Sequence, residues 1–288
     1  MKIRSYAKIN IGLDVIRRLE NGYHEVRMIM QSLGLCDKLI IEKTDDPGIV
    51  INVNDASLPV NEDNLIYKAA KLLIDEFDLP GGLDVELIKN IPIAAGLAGG
   101  SGNAAAVMKA VNSLYDLGLS VEDLMKRSVK IGADVPFCIM GGCAISEGIG
   151  EVLTPIPSIP KCSILLAKPS VSVSTAYVYN NLKLDEVDHP DIDAIIAGIK
   201  AGDIKGITDN MGNVLETVTG RQYPVIGRIE QIMKECGALG AMMSGSGPTV
   251  FGIFNTAEAA AGARDELAKS DPDLKLFVTE AVEDVING

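Results

Sequence analysis

The sequence predicts an α+β protein of two domains packed closely around a cleft. Three observations lead there. A chain of 288 residues is long enough for two compact units, one large domain being the alternative. Helical segments and antiparallel-looking strands alternate in an order suited to two-layer packing. Only the short PSIPK stretch (157–161) separates the halves, which places the domains at 1–158 and 159–288.

The elements follow from local pattern. Ile3, Ala7, Ile9, Ile11, Leu13 and Val15 alternate with Tyr6, Lys8, Asn10 and Asp14, predicting a long first strand with an apolar and a polar face. Glu20-Asn21-Gly22 reads as a turn, with strands over 25–34 and 38–43 after it. NEDNLIYKAAKLLIDEF (61–77) places Leu65, Ala69, Leu72 and Leu73 at helical spacing. Residues 83–93 read as extended. A helix follows over 103–117, with Gly118 as its stop. Ser120 to Asp123 resembles a capping box opening a helix to about residue 131. Residues 137–155 read as a glycine-punctuated β-meander.

A short buried strand over 162–168 opens the second unit. Helices are expected over 191–201, 204–219 and 223–235, and strands over 239–243 and 249–254 flank SGSGP (244–248). Helix 257–269 and strand 274–280 close the chain.

Composition narrows the function classes. The formal charge of −13 disfavours non-specific nucleic-acid binding, which needs clustered Lys and Arg. Five scattered cysteines without C-x-x-C suit reduced cytosolic thiols rather than disulfides or zinc. Two histidines, His24 and His189, exclude a multi-histidine metal centre. Charge interrupts the N-terminal apolar residues too often for a signal peptide, and no apolar run approaches the ~18 residues of a membrane span. A soluble cytoplasmic protein without membrane partners is expected.

The chemistry centres on PIAAGLAGGSGNAAA (92–106). No G-K-[ST] follows its glycines, so it is not a Walker A loop, and Gly96-Leu97-Ala98 breaks the dinucleotide fingerprint. Strand, proline, small residues and an alanine-rich helix remain. Glycine permits close backbone approach, and the unpaired N–H groups at a helix start suit anionic oxygens, with Ser101 adding a hydroxyl. The plainer alternative is a glycine-rich connection to a capped helix.

Lys8 stands on the polar face of the first strand with Tyr6 and Asn10; a solvated strand face is its alternative. Asp134 lies in Gly-Ala-Asp-Val-Pro (132–136), where it could be a turn or cap aspartate; Pro136 biases Val135 toward extended backbone. A carboxylate and an ammonium beside a phosphate cradle would suit activation of a hydroxyl. His24 alone reads as a surface histidine. Tyr177 and Tyr179 cannot share one helix face, so one is core and the other exposed. SGSGP is a tight turn or a second nest of backbone amides.

Together these segments resemble the GHMP kinases. IPIAAGLAGGSGNAAA is similar to the family's phosphate loop, GADVPFCIMGGCAISEGIGEVLTPI to its catalytic-aspartate segment, and GALGAMMSGSGPTVFGIF to its third motif. The likeness covers nearly the whole chain. It implies a mixed sheet with helices on one side in each domain, and an active site in the cleft between them. ATP, with Mg²⁺, would set its phosphates on Pro92, Ile93, Ala94, Ala95, Gly96, Leu97, Ala98, Gly99, Gly100, Ser101 and Gly102. Asp134 would orient or deprotonate the substrate hydroxyl, and Lys8 would stabilise charge developing at the γ-phosphate.

AKIN with GYH, and GADVPF with EGIGE, point within the family to a cytidyl diphosphate-linked methylerythritol as the small-molecule substrate. Tyr23, His24 and Tyr179 then match positions that read a cytidine ring, and Asn10 and Thr175 would contact substrate hydroxyl or phosphate groups. Two loop positions depart from the family pattern: Ala98 stands where many members carry Gly, and Gly102 where Ser is usual, removing a hydroxyl that could reach phosphate or metal. The metal ligands stay unassigned, and a monomer or weak homodimer is expected. The competing readings are a homoserine- or mevalonate-type kinase, and a non-catalytic sensor of the same fold.

Overall fold

The structure, a computed structural model, describes residues 1–283. It holds two sheets. The first has seven strands: β1 (Lys2–Arg18), β2 (His24–Thr44), β3 (Gly48–Val53), β4 (Gly82–Ile88), β5 (Cys143–Glu147), β6 (Val152–Ile156) and β8 (Gly212–Asn213), in the order β3-β4-β2-β1-β8 with β5 on β2 and β6 on β5. The second has the order β11-β7-β10-β9, from β7 (Ser163–Lys168), β9 (Gly240–Met243), β10 (Val250–Phe254) and β11 (Lys275–Thr279), all antiparallel.

Helices α1 (Leu65–Phe77), α2 (Gly99–Leu114), α3 (Val121–Ser128) and α4 (Val135–Met140) precede β5; α5 (Thr175–Asn181), α6 (Ile192–Ala201), α7 (Ile204–Asp209), α8 (Glu216–Gln222), α9 (Val225–Glu235) and α10 (Ala257–Ser270) follow β7. Asn64 caps α1 by accepting the Ile66 N–H, and Ser120 with Asp123 forms the expected capping box on α3.

Two of the three cores mix residues from the two halves of the chain. Helices α1 and α2 cover Leu39, Ile41, Leu83 and Val85 of the first sheet in a core confined to the N-terminal half. Ile9, Ile11 and Ile29 pack with Ile164, Leu166, Phe251 and the apolar side of α6. Leu13, Val15 and Met28 instead join Leu165, Ala167, Val250 and the apolar sides of α9 and α10.

That division corrects the reading of β1. Asn10 pairs with Met30 but Gly12 with Ile29, so Ile11 is an extra residue in the ladder. Such a bulge moves the side chains that follow it, as far as the next register shift after Val15, to the opposite face. Leu13 therefore joins the face of Lys8 and Asn10, whereas Gly12 lies against Ile192 and Ile195, and Asp14 meets His189 Nδ1 at 2.6 Å.

Other departures have local causes. The strands expected over 25–34 and 38–43 are one strand, β2, carried through a second irregularity opposite Tyr6–Ala7. β3 fills part of the polar stretch after residue 44 as an edge strand on β4. Helix α2 starts at Gly99 rather than 103. The meander is a single hairpin, β5–β6, because 135–140 is helical; proline in the first turn forfeits no helix hydrogen bond, which overrides the extended bias on Val135. Helix α5 was not anticipated. The helix expected over 204–219 breaks at β8, where Gly212 and Asn213 pair in parallel with Gly12 and Leu13 and Asn213 Nδ2 donates to Met243 O and Gly245 O.

Candidate active site

The loop between β4 and α2 cannot be regular structure. Ala94, Gly96 and Ala98 all have positive φ, at 50°, 73° and 55°. Gly96 has a second constraint: a Cβ there would stand 2.3 Å from Ser244 O. Ala98 occupies its left-handed position at a cost of about 1 kcal/mol that glycine would not bear. Lys8 N–H donates to Leu97 O at 3.1 Å and Ser244 Oγ to Gly96 O at 3.1 Å, so β1 and the SGSGP turn hold the loop from two sides.

Lys8 is buried, which rules out the solvated strand face. Its Nζ donates to Asn10 Oδ1 at 2.7 Å and lies 3.7 Å from Asp134 Oδ2. Asn10 spends its amide on Met28 Sδ at 3.1 Å. Asp134 sits at the N-cap position of α4 but makes no capping bond with its side chain, leaving the carboxylate to face Lys8. A Cβ on Gly245 would come within 3.4 Å of both Lys8 Nζ and Gly96 O, so the SGSGP backbone closes over this pair.

These groups line one cleft of about 850 Å³. Its walls include Lys8, Asn10, Asp134, Tyr23, His24, Thr175 and Tyr179, together with Pro92–Gly96 and Ala98–Ser101. Leu97 and Gly102 do not line it. Leu97 is buried in the core beneath, and a Cβ on Gly102 would stand 2.5 Å from Ser5 Oγ and 3.2 Å from Tyr6 O. The missing hydroxyl at 102 thus faces β1 rather than the cleft.

His24 and Tyr179 rings approach to 5.1 Å between centroids at 39°. Burial, helped by Arg18, lowers the His24 pKa, which favours the neutral ring; burial, then the Asp134 charge, raises that of the Tyr179 phenol. Tyr177 is exposed, whereas Tyr179 packs, partly buried, against the core that joins the two halves. Thr175 Oγ1 and Ser246 Oγ lie 2.8 Å apart and bridge α5 to SGSGP.

The sequence reading missed several cleft residues. Asp63, Asn64, Leu65, Lys89 and Asn103 also line the cleft. Burial lowers the Lys89 pKa against the opposing pull of its Asp37 partner. The available signal was position: a lone lysine between an apolar strand and the loop, and a helix-capping asparagine nearby. Among the described residues no three His, Cys, Asp or Glu side chains gather as a metal site. Mg²⁺ beside nucleotide needs no such cage, because phosphates and waters fill most of its octahedron.

A glycine-rich loop, a buried lysine and an aspartate free of capping duty share one cleft, an arrangement suited to the phosphotransferase class. Residues 64–142 match the family described as GHMP kinases N terminal domain, and 195–273 match GHMP kinases C terminal. The chain belongs to the GHMP kinases. It is 50% identical to a 4-diphosphocytidyl-2-C-methyl-D-erythritol kinase of Lachnospira eligens, over 97% of this chain and 98% of the relative, and 49% identical to the enzyme of that name from Lachnoclostridium phytofermentans, over 98% of each. A crystal structure of 4-(cytidine 5'-diphospho)-2C-methyl-D-erythritol kinase superposes with a TM-score of 0.84 at 30% identity, covering 98% of this chain and 99% of the other. Homoserine kinase from Cytophaga hutchinsonii, at 20% identity and a TM-score of 0.77 over 98% and 95%, shares the fold.

Proposed function

We propose that this chain transfers the γ-phosphoryl group of ATP to the 2-hydroxyl of 4-diphosphocytidyl-2-C-methyl-D-erythritol. Full-length identity of about half to kinases of that name carries the reading. The cleft supports it: positioning and charge stabilisation are what phosphoryl transfer chiefly requires, and Lys8, Asp134 and the loop N–H groups supply both.

In this reading Asp134 accepts or orients the hydroxyl proton while Lys8, held by Asn10, faces the charge that develops on the transferring group. Residues 92–102 cradle the phosphates, with Leu97 and Gly102 shaping the loop from behind. His24, Tyr23 and Tyr179 take the cytosine, and Thr175 with Asn10 meets the remaining polar groups. Mg²⁺ bound with ATP would neutralise phosphate charge, its protein ligands unassigned, and Ser101 is the loop's cleft-lining hydroxyl. The ATP domain would be 1–158 and its partner 159–288, in a cytoplasmic monomer or weak homodimer with no nucleic-acid or membrane partner.

The test is ADP release from ATP with the cytidyl substrate, homoserine and mevalonate in parallel. Turnover of the cytidyl compound alone is expected. Turnover of homoserine or mevalonate without it would reassign the substrate; nucleotide binding with no turnover of any alcohol would favour a sensor.

A further inference from the structure

One buried carboxylate outside the cleft reaches both ends of the glycine-rich loop. Asp37 stands on β2 opposite Ser5 of β1 and has no exposed surface. Its Oδ1 accepts the backbone N–H groups of Asn90 at 2.7 Å and Ile91 at 2.8 Å, the two residues before the loop opens at Pro92. Its Oδ2 accepts Asn103 Nδ2–H at 2.8 Å, from the first residue after Gly102, and pairs with Lys89 Nζ. Asn103 donates again to Ser5 Oγ at 3.1 Å, and Asn90 Nδ2 donates to Cys36 O at 2.9 Å.

A carboxylate shut away from water must be fully partnered, and four donors including a cation achieve that here. Each of those donors would in turn lose its partner if the carboxylate moved, so the cluster has one arrangement. The loop between its two anchors has no such means of its own. It is almost wholly small or glycine residues, and three of its residues hold positive φ. Its path is therefore imposed from outside, by the Asp37 cluster at both ends and by Lys8 N–H and Ser244 Oγ on Leu97 O and Gly96 O between them.

We propose that Asp37 is a positioning residue for the nucleotide: by binding Asn90, Ile91 and Asn103 to one carboxylate, it sets the course of residues 92–102 and the direction in which their N–H groups meet phosphate. The proposal rests on the reading of that loop as the phosphate cradle. Asp37 does not line the cleft and acts through what it holds, the two ends of the loop and Lys89.

Asp37→Asn keeps the side chain's size but turns one acceptor into a donor facing Lys89 and Asn103. Amide hydrogen exchange of peptides spanning 92–102, ADP affinity by calorimetry and steady-state kinetics would be compared with wild type in the full chain. Loop exchange about tenfold faster, with β7–β10 unchanged, is expected. ADP affinity should fall and the ATP KM rise by about tenfold, with the KM for the cytidyl substrate within about twofold of wild type. Wild-type loop exchange, wild-type ADP affinity, or equal rises in both KM values would overturn the proposal.

Asn103→Ala removes the far anchor together with its bond to Ser5 Oγ and leaves the Asp37–Lys89 pair, so it decides the matter if Asp37→Asn does not fold; the same but smaller split is expected, and wild-type values would overturn it. Leu73→Ala, in the core of α1, controls for lost stability, and an equal rise in ATP KM there would also overturn it. If wild type phosphorylates no alcohol, the kinase reading falls by itself, while exchange and ADP affinity still decide the role of Asp37.

Discussion

Lys8 Nζ lies nearer to Asn10 Oδ1, at 2.7 Å, than to Asp134 Oδ2, at 3.7 Å. The ammonium is thus held by a neutral amide on its own strand, and the aspartate stands at ion-pair distance without a direct hydrogen bond to it. Lys8→Met should lower kcat by about 10²- to 10³-fold while leaving ADP affinity nearly intact, the pattern of lost transition-state stabilisation. Asp134→Asn should cost about 10²- to 10⁴-fold in kcat. Steady-state ADP release with calorimetric ADP binding checks both, and a wild-type kcat in either variant removes that residue from the proposed mechanism.

Gly102 tests a packing relationship. Its missing side chain makes room for Ser5 Oγ, which in turn accepts from Asn103. Gly102→Ser should destabilise the chain by about 1–3 kcal/mol through overpacking, and adding Ser5→Ala should recover a large part of it. Urea unfolding of the two single variants and the double variant gives the coupling; additive effects would mean that the two residues do not compete for space.

Substrate recognition makes a separable prediction. His24 stacks near Tyr179 with its ring biased to the neutral form. His24→Ala should raise the KM for the cytidyl substrate by about three- to tenfold, the worth of one aromatic contact, and leave the ATP KM unchanged. A rise confined to ATP would place His24 on the wrong side of the cleft.

Stability should carry a pH signature from Glu230. Burial, then the charge and hydrogen bond of Glu216, push the Glu230 carboxyl up from 4.5 to about 8. A carboxyl with a higher pKa in the folded than in the unfolded state takes up a proton on folding, so its contribution worsens as pH rises between those two values. Glu230→Gln should therefore gain on wild type by about 4 kcal/mol between pH 5 and pH 8.5, read from chemical denaturation at both. A gap that does not widen with pH would show that the group ionises without penalty.

Local pattern carried much of this fold and stopped at identifiable points. The periodicity of α1, the capping box of α3 and the glycine-rich loop are set by neighbours in sequence and were legible. The Ile11 bulge was not, because a strand with both faces buried shows no break in alternation when its faces exchange. Helix 204–219 failed because Gly212 and Asn213 gain partners on β1 that outweigh helical spacing. At the site, Lys8, Asp134 and the loop were named from motif, yet that Lys8 is buried and Gly102 turned inward depended on packing across β1 and α2. Asp37 gave no signal at all: an aspartate in a strand reads as exposed until its four donors are brought to it from elsewhere.

The pairing of β8 with β1 also has a consequence for synthesis. Gly12 waits for Gly212, made about 200 residues later, which at ribosomal speed is about 10 to 40 s. During that interval the nascent N-terminal half carries an unmatched strand border beside Leu13 and Val15, side chains whose core is completed by the later half. The polypeptide's earliest strand is therefore among the last to be finished, and a holdase acting on the half-made chain would be expected to engage it there.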